Sequence, residues 1–279
     1  MIRPFAYVKP ATMEEALDAL KLDNSKPLAG GTNLLVEMRN GLKEPELLVD
    51  IKCLAELNTL TIDREGGVKI GAGVTLNALI ENKEIRERLP AIAEAAFSIA
   101  TYQLRNRATM VGNICNASPA ADMAPPLYVL GAEVVIAGPC GERIIPISEF
   151  ITGVKKNSLK KGELVVQVEV PQVPKAKMVF LKKQRVKGHD LALINVAGLA
   201  DEQSGSLRIC VGACAVKPLL LEGSDQAFQE TKGVEQLAEQ VAKLALQAIS
   251  PIDDIRSSKE YRMDMVEVLV KRVVRQICA

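Results

Sequence analysis

Thr109-Met110-Val111-Gly112-Asn113-Ile114-Cys115-Asn116-Ala117-Ser118-Pro119-Ala120-Ala121-Asp122 is the stretch whose reading decides the fold. Short polar side chains alternate with glycine and alanine, and only Met110, Val111 and Ile114 are large before Met123. A backbone so lightly covered makes room for a ligand. Thr109, Asn113, Asn116 and Ser118 supply hydroxyls and amides that can bond it. A purely structural loop would have the same composition, and the stretch alone leaves both readings open. Upstream, the Ala-rich run Ala91 to Ala100 behind Pro90 reads as a helix. Asp122 is placed to cap the helix that follows, so the stretch reads as a loop between two helices.

A second loop of similar character lies nearer the N-terminus. Lys26-Pro27-Leu28-Ala29 reads as a strand entering Gly30-Gly31-Thr32-Asn33. Glycine permits positive φ and close approach of backbone to a ligand, and consecutive exposed N–H groups form a nest suited to a diphosphate. A tight turn would also need the glycine pair. Between the loops, Gly71-Ala72-Gly73-Val74-Thr75-Leu76 begins like a dinucleotide fingerprint, but Leu76 stands where close packing needs the third glycine. There is no Walker A motif and no nucleophile elbow. With His189 as the single histidine, a Ser-His-Asp triad has little material.

The 279-residue chain is 48% hydrophobic and 25% charged, with a net charge of +1. That describes a globular protein with no general attraction to nucleic acid or membrane. No apolar run reaches the roughly 18 residues of a membrane span, and Met1 to Phe5 lacks a signal-peptide core, so a cytoplasmic address is expected. Six cysteines include no Cys-x-x-Cys pair. Cys210 and Cys214 fall in Leu207 to Val216, read as one strand; four residues along a strand span about 13 Å, too far to share a metal ion. Both are expected in the core. Between Lys155 and Lys187, basic residues far outnumber Glu163 and Glu169, which fits either a solvated face or contact with an anionic cofactor or acidic partner.

Thr12 and Glu15 form a capping box that opens a helix. Thr75 caps a second, running through Ile80. Leu47 to Ile51, Val68 to Ile70, Val134 to Ile136, Arg143 to Ile145 and Leu164 to Val170 read as strands. Pro171 and Pro174 mark a boundary. More strands follow at Met178 to Lys182, Leu191 to Ala197 and Leu207 to Val211, then helices at about Val234 to Ala248 and Ser257 to Cys278. The pattern is α+β.

The order and spacing of the two loops resemble the FAD-binding medium subunit of molybdenum hydroxylases, the xanthine dehydrogenase and carbon monoxide dehydrogenase family. The resemblance covers essentially the whole chain. It runs through Phe5-x-Tyr7-x-x-Pro10, Ala29 to Asn33, Ile70 to Thr75, Gln103 to Thr109, Gly112 to Ile114, Ala117 to Pro119 with Asp122, Phe180-x-Lys182-x-x-Arg185, Asp190 to Ala192, Asn195 to Ala197 and Ser257-x-x-x-Tyr261-Arg262. One departure is Val111, where the family often has a first glycine of a pair.

The resemblance implies a two-subdomain FAD-binding domain of the vanillyl-alcohol-oxidase (PCMH) type over 1–174, with subdomains of about 1–56 and 57–174. A C-terminal α+β domain with a small sheet and helices follows over 175–279. It implies FAD held by Leu28, Ala29, Gly30, Gly31, Thr32, Asn33 and Leu34 on one side. Ala100, Thr109, Gly112, Asn113, Ile114, Asn116, Ala117 and Ser118 hold the other, with Asp122, Val166 and Lys182 near the ring. No catalytic side chain or bound metal is implied, and no extra iron–sulfur cluster. The implied partners are a large molybdopterin-binding subunit and a small subunit with 2Fe-2S clusters, compatible with a dimer of heterotrimers. Electrons would pass from those clusters through FAD to NAD⁺ or another acceptor. The alternative is a standalone FAD-dependent oxidoreductase of the same fold. Organic substrate and acceptor are not encoded here.

Overall fold

The computed structural model describes residues 2–172, 176–186 and 188–279. The boundary expected between residues 174 and 175 lies outside the described residues, as do Lys175 and Lys187.

Among the described residues three larger sheets organise the fold, beside a two-stranded ribbon of Ile151–Gly153 and Lys156–Asn157. In the first, Leu47–Asp50 lies between Ala6–Val8 and Ser25–Leu28, parallel to both. Parallel neighbours need crossovers, and helices Met13–Leu20 and Leu34–Arg39 provide them. The Thr12 hydroxyl accepts from the Glu15 N–H as the capping box requires, while the Glu15 carboxylate accepts from Ala11 N–H, one residue earlier than expected. The turn Ala29 to Asn33 therefore leaves the carboxyl end of a parallel sheet, where open α/β sheets bind ligands.

The second sheet is antiparallel, ordered Leu60–Ile62, Val68–Gly71, Leu164–Val170, Glu133–Gly138, Gly141–Pro146. Its register slips between Val165 and Gln167, which makes Val166 a bulge residue. Helices Leu76–Glu81, Lys83–Arg88, Pro90–Phe97 and Ala124–Val129 bury Leu76, Leu79, Ile85, Ile92 and Leu127 in the core it shares, around Ile70, Val134 and Val168. Each such side chain contributes about 1.5–3 kcal/mol of burial.

The third sheet runs Lys177–Lys183, Ile194–Asp201, Ser206–Gly212, Leu219–Leu220. Its faces diverge because strand side chains alternate. Val179 and Leu181 pack towards helices Val234–Ala248 and Lys259–Cys278, whereas Met178 and Phe180 join the core of the second sheet. Lys182 shares the parity of Phe180, and that places its ammonium on the inner side. On the outer face a Cβ at Gly198 would lie 2.3 Å from Val273 Cγ1, so glycine lets the last helix settle on the sheet.

Several sequence readings need correction. The strand carrying Cys210 ends at Gly212, and Ala213 turns with φ +63°, so Cys214 lies outside it, though both thiols are buried. The last helix, expected from about Ser257, begins at Lys259 behind its cap Ser258. Residues Met110–Cys115 form a short helix rather than open loop. Asp122 caps nothing: the next helix begins after Met123 without a side-chain cap, because the Asp122 carboxylate is engaged elsewhere.

Candidate functional site

The two loops meet. A Cβ on Gly30 would lie 1.8 Å from the Arg107 carbonyl oxygen, so the backbones touch where only glycine fits. Leu76 N–H donates to Ala108 O, and Thr75 bridges Thr109, which ties the Gly71 to Thr75 segment to the same junction. Lys155 straps the two sides from behind. Its ammonium donates to Asn116 Oδ1 (2.8 Å) and to Glu37 Oε1 (3.1 Å) on the helix after the first loop. Its N–H donates to Ala117 O (2.8 Å).

In the first loop, Leu28 ends its strand with its side chain buried. Gly31 adopts φ +71°, the left-handed conformation glycine takes without strain. Gly31 O accepts from Leu35 N–H, and Asn33 O from Glu37 N–H. Among the described residues, no acceptor takes the N–H of Gly30, Gly31, Thr32 or Asn33, and the Thr32 and Asn33 side chains make no hydrogen bond. Leu34 opens the helix and is half-buried.

The second loop is built differently. Thr109 is an N-cap whose hydroxyl accepts from Gly112 N–H at 2.9 Å. Ile114 is buried in the core, so only its backbone is available to a ligand. Asn113 Oδ1 accepts from Met123 N–H, and the Ser118 hydroxyl accepts from Ala120 N–H. The Val111 N–H at the helix start has no acceptor among the described residues, although the residue is buried, whereas the Thr75–Thr109 bridge turns the Met110 N–H towards Val74 O. Buried donors of this kind are normally paired. Ala100 and Ala117 have φ of +44° and +45°, which for a residue with a Cβ costs about 1–2 kcal/mol.

These features fit a flavin dinucleotide. Unpartnered N–H groups from two loops, at a contact that a single Cβ would block, form a cradle for a diphosphate.

The third component is a buried ion pair. Lys182 Nζ lies 2.7 Å from Asp122 Oδ2, both side chains about 6% exposed, and also donates to Ser98 O at 3.1 Å. Asn195 donates to Asp122 Oδ1 at 2.8 Å. Burial raises the Asp122 carboxyl above its ordinary range, while the Lys182 ammonium and the Asn195 amide pull it back. Asp122 and Lys182, expected separately beside a ring, thus meet each other first. Val166 sits at the bulge, its carbonyl accepting from Ala72 N–H.

Sequence reasoning missed Lys155, Glu37 and Ser98, and it gave Arg107 and Ala108, which lie within a quoted motif, no role of their own. Backbone carbonyls leave no sequence signature, and Lys155 was one of many basic residues. Asn195 stood within a quoted motif but was given no role. Five described members of the basic run form ion pairs within the chain: Lys155 with Glu37, Lys161 with Asp23, Lys177 with Glu202, Lys182 with Asp122 and Arg185 with Asp190. An open cleft of about 400 Å³ lies apart from the loops, lined by Lys183, Gln184, Arg185, Leu193, Arg256 and Tyr261. Its arginines are bound to Asp190 and Asp254. His189 is exposed. Among the described residues no group of three metal-ligating side chains converges, and no helix is long and apolar enough to cross a membrane.

Residues 3–173 match the family described as the FAD binding domain in molybdopterin dehydrogenase, and residues 179–277 match the CO dehydrogenase flavoprotein C-terminal domain. The putative xanthine dehydrogenase FAD-binding subunit of Escherichia coli is 34% identical over 98% of this chain and 96% of its own length. The carbon monoxide dehydrogenase medium chain of Hydrogenophaga pseudoflava is 31% identical over 98% and 97%. A solved structure of carbon monoxide dehydrogenase from that organism superposes with a TM-score of 0.94 at 30% identity, covering 100% of this chain and 99% of the other.

Proposed function

Because the chain belongs to the family of FAD-binding medium subunits of molybdenum hydroxylases, we propose that it relays electrons from 2Fe-2S clusters on a small partner subunit through FAD to NAD⁺ or another acceptor. As a member, the chain is an oxidoreductase subunit with an FAD-binding domain. When bound, FAD supplies two-electron chemistry that also accepts electrons singly. A large molybdopterin-binding subunit oxidises the organic substrate, and the whole works in the cytoplasm as a dimer of heterotrimers. The FAD-binding domain spans 1–174, in subdomains of about 1–56 and 57–174, and the C-terminal domain 175–279.

The N–H groups of Gly30 to Asn33, with that of Val111, bind the diphosphate. Thr32, Asn33, Asn113 and Ser118 orient the ribityl chain and neighbouring oxygens. Ala100, Val166 and the Lys182–Asp122 pair border the ring, where the ammonium favours added negative charge. The contact of Gly30 with Arg107 O is the single observation that carries this reading, since it brings both sets of free N–H groups to one place.

The test is to purify the assembled complex, measure FAD per chain, and follow flavin and cluster absorbance after adding substrate. FAD is expected at one per chain, bleaching after the clusters and recovering with the acceptor. A complex without FAD would overturn the site. FAD that stays oxidised beside reduced clusters would overturn the relay.

A further inference from the structure

We propose that Arg105 is the positioning residue for the Lys182–Asp122 pair, acting through the turn that ends helix Pro90–Phe97. The carbonyls of that turn point two ways. Arg105 Nη1 donates to Phe97 O (3.2 Å), Ile99 O (2.9 Å) and Ala100 O (2.8 Å). The carbonyl between them, Ser98 O, accepts instead from the Lys182 ammonium. Drawing the outer three inward leaves the fourth aimed at the ion pair.

Arg105 is held for this task. It is 7% exposed, and its Nε donates to Asn77 Oδ1 at 3.1 Å. The Asn77 amide in turn donates to Tyr102 O and Asn106 Oδ1. The guanidinium lies 5.2 Å from the centre of the Phe97 ring. Among the described residues no carboxylate pairs with it, so carbonyl dipoles and the Phe97 ring meet its charge. A buried guanidinium without a countercharge is unfavourable on its own account. Its geometric return is the left-handed Ala100, at φ +44°, a strained conformation that three hydrogen bonds to the surrounding carbonyls hold in place. Without those bonds Ala100 relaxes, the Ser98 carbonyl swings, and Lys182 loses one of its two acceptors.

The inference rests on the FAD reading only in its last step, where the placement of Lys182 sets the field at the flavin. The first measurement needs no cofactor: lysine acylation of the purified complex, read residue by residue by mass spectrometry. Wild-type Lys182 should resist labelling. Arg105→Met should raise its rate severalfold while Lys271, 16% exposed and paired with Glu239 and Glu267, keeps its rate. Arg105→Lys, which keeps a donor for the carbonyls, should restore most of the protection. If Arg105→Met does not assemble, Asn77→Ala, which frees the guanidinium from its anchor, should expose Lys182 more weakly. An unchanged Lys182 rate, or an equal rise at Lys271, overturns the assignment. The second measurement is the potential of the retained flavin. Arg105→Met should shift it downward, and the shift should vanish in a Lys182→Met background. A shift that is the same in both backgrounds overturns the route through Lys182. Absence of flavin from the wild type sinks the FAD reading and leaves the labelling result standing.

Discussion

In Ala29 to Asn33 the backbone N–H groups and both polar side chains are without partners among the described residues, whereas Thr109 to Asp122 bonds nearly all of its side chains internally. The loops look alike in composition. One is open donor surface carried on the end of a parallel sheet. The other is scaffold, in which the Val111 N–H is left without a partner among the described residues. The difference teaches that a run of small polar residues marks a place where backbones crowd. It does not say which polar groups face a ligand. Substitutions in the second loop and its supports should therefore cost stability first, and substitutions in the first should cost cofactor first.

The largest effect is expected at the ion pair. Lys182→Met leaves the Asp122 carboxylate buried with the Asn195 amide as its remaining partner, and breaking such pairs costs about 3 kcal/mol or more. The loss should depend on pH. The Asp122 carboxyl is already raised by burial, and removing the cation raises it further. A group whose native pKa is raised contributes stability in full below its unfolded value, near 3.9, and loses it as pH rises through the native value. The variant should thus approach wild-type stability in acid and fall behind towards neutrality. Urea unfolding of the complex at several pH values measures this; a pH-independent deficit would contradict the buried-carboxylate explanation.

Next comes the junction itself. In Gly30→Ala the new methyl would sit inside the contact radius of the Arg107 carbonyl oxygen, so the loops must part. Overpacking of this kind costs about 1–3 kcal/mol. It should also strip most FAD from the complex. Retention of FAD at the wild-type ratio would show that the loops do not need this contact to hold it.

Much of this was legible in the residues. Leu164 to Val170 alternates and bounds a strand correctly, and Thr12 and Thr75 announced their helices because caps are local. The family resemblance ran along the whole chain from the two loops outward, and the structure brings those loops into contact. The position of Met110–Cys115 was not legible as helix: Gly112 and Asn113 are poor helix formers, and it is the Thr109 cap and the packing of Met110 and Ile114 that decide. Nor was the destination of Asp122. A local cap was the natural expectation, but Lys182 and Asn195 lie far along the chain, and only the packing of the third sheet against helix Pro90–Phe97 delivers them.

A smaller effect is expected from Thr109→Ala. It removes the hydroxyl that accepts from Gly112 N–H, and loss of such a cap costs about 1 kcal/mol. Thermal unfolding should fall by a similar margin with and without FAD, because the cap belongs to the scaffold. A loss confined to the FAD-loaded complex would move Thr109 from scaffold to ligand and narrow the contrast between the loops.

The smallest change in stability, and the sharpest division of the two loops, is expected at Asn33. Its side chain caps nothing and bonds nothing among the described residues, and the residue is exposed. Asn33→Ala should therefore shift the stability of the FAD-free complex by no more than about 0.5 kcal/mol, the ordinary range for a surface substitution away from special features. A hydrogen bond to a phosphate oxygen carries charge and contributes about 1.5–3 kcal/mol, so the same variant should bind FAD on the order of tenfold more weakly or worse. The two measurements together separate the possibilities. Lost stability without lost affinity would make the first loop scaffold like the second. Lost affinity alone would leave the Asn33 amide a ligand-facing group, held ready by a turn whose own hydrogen bonds use only the Asn33 backbone.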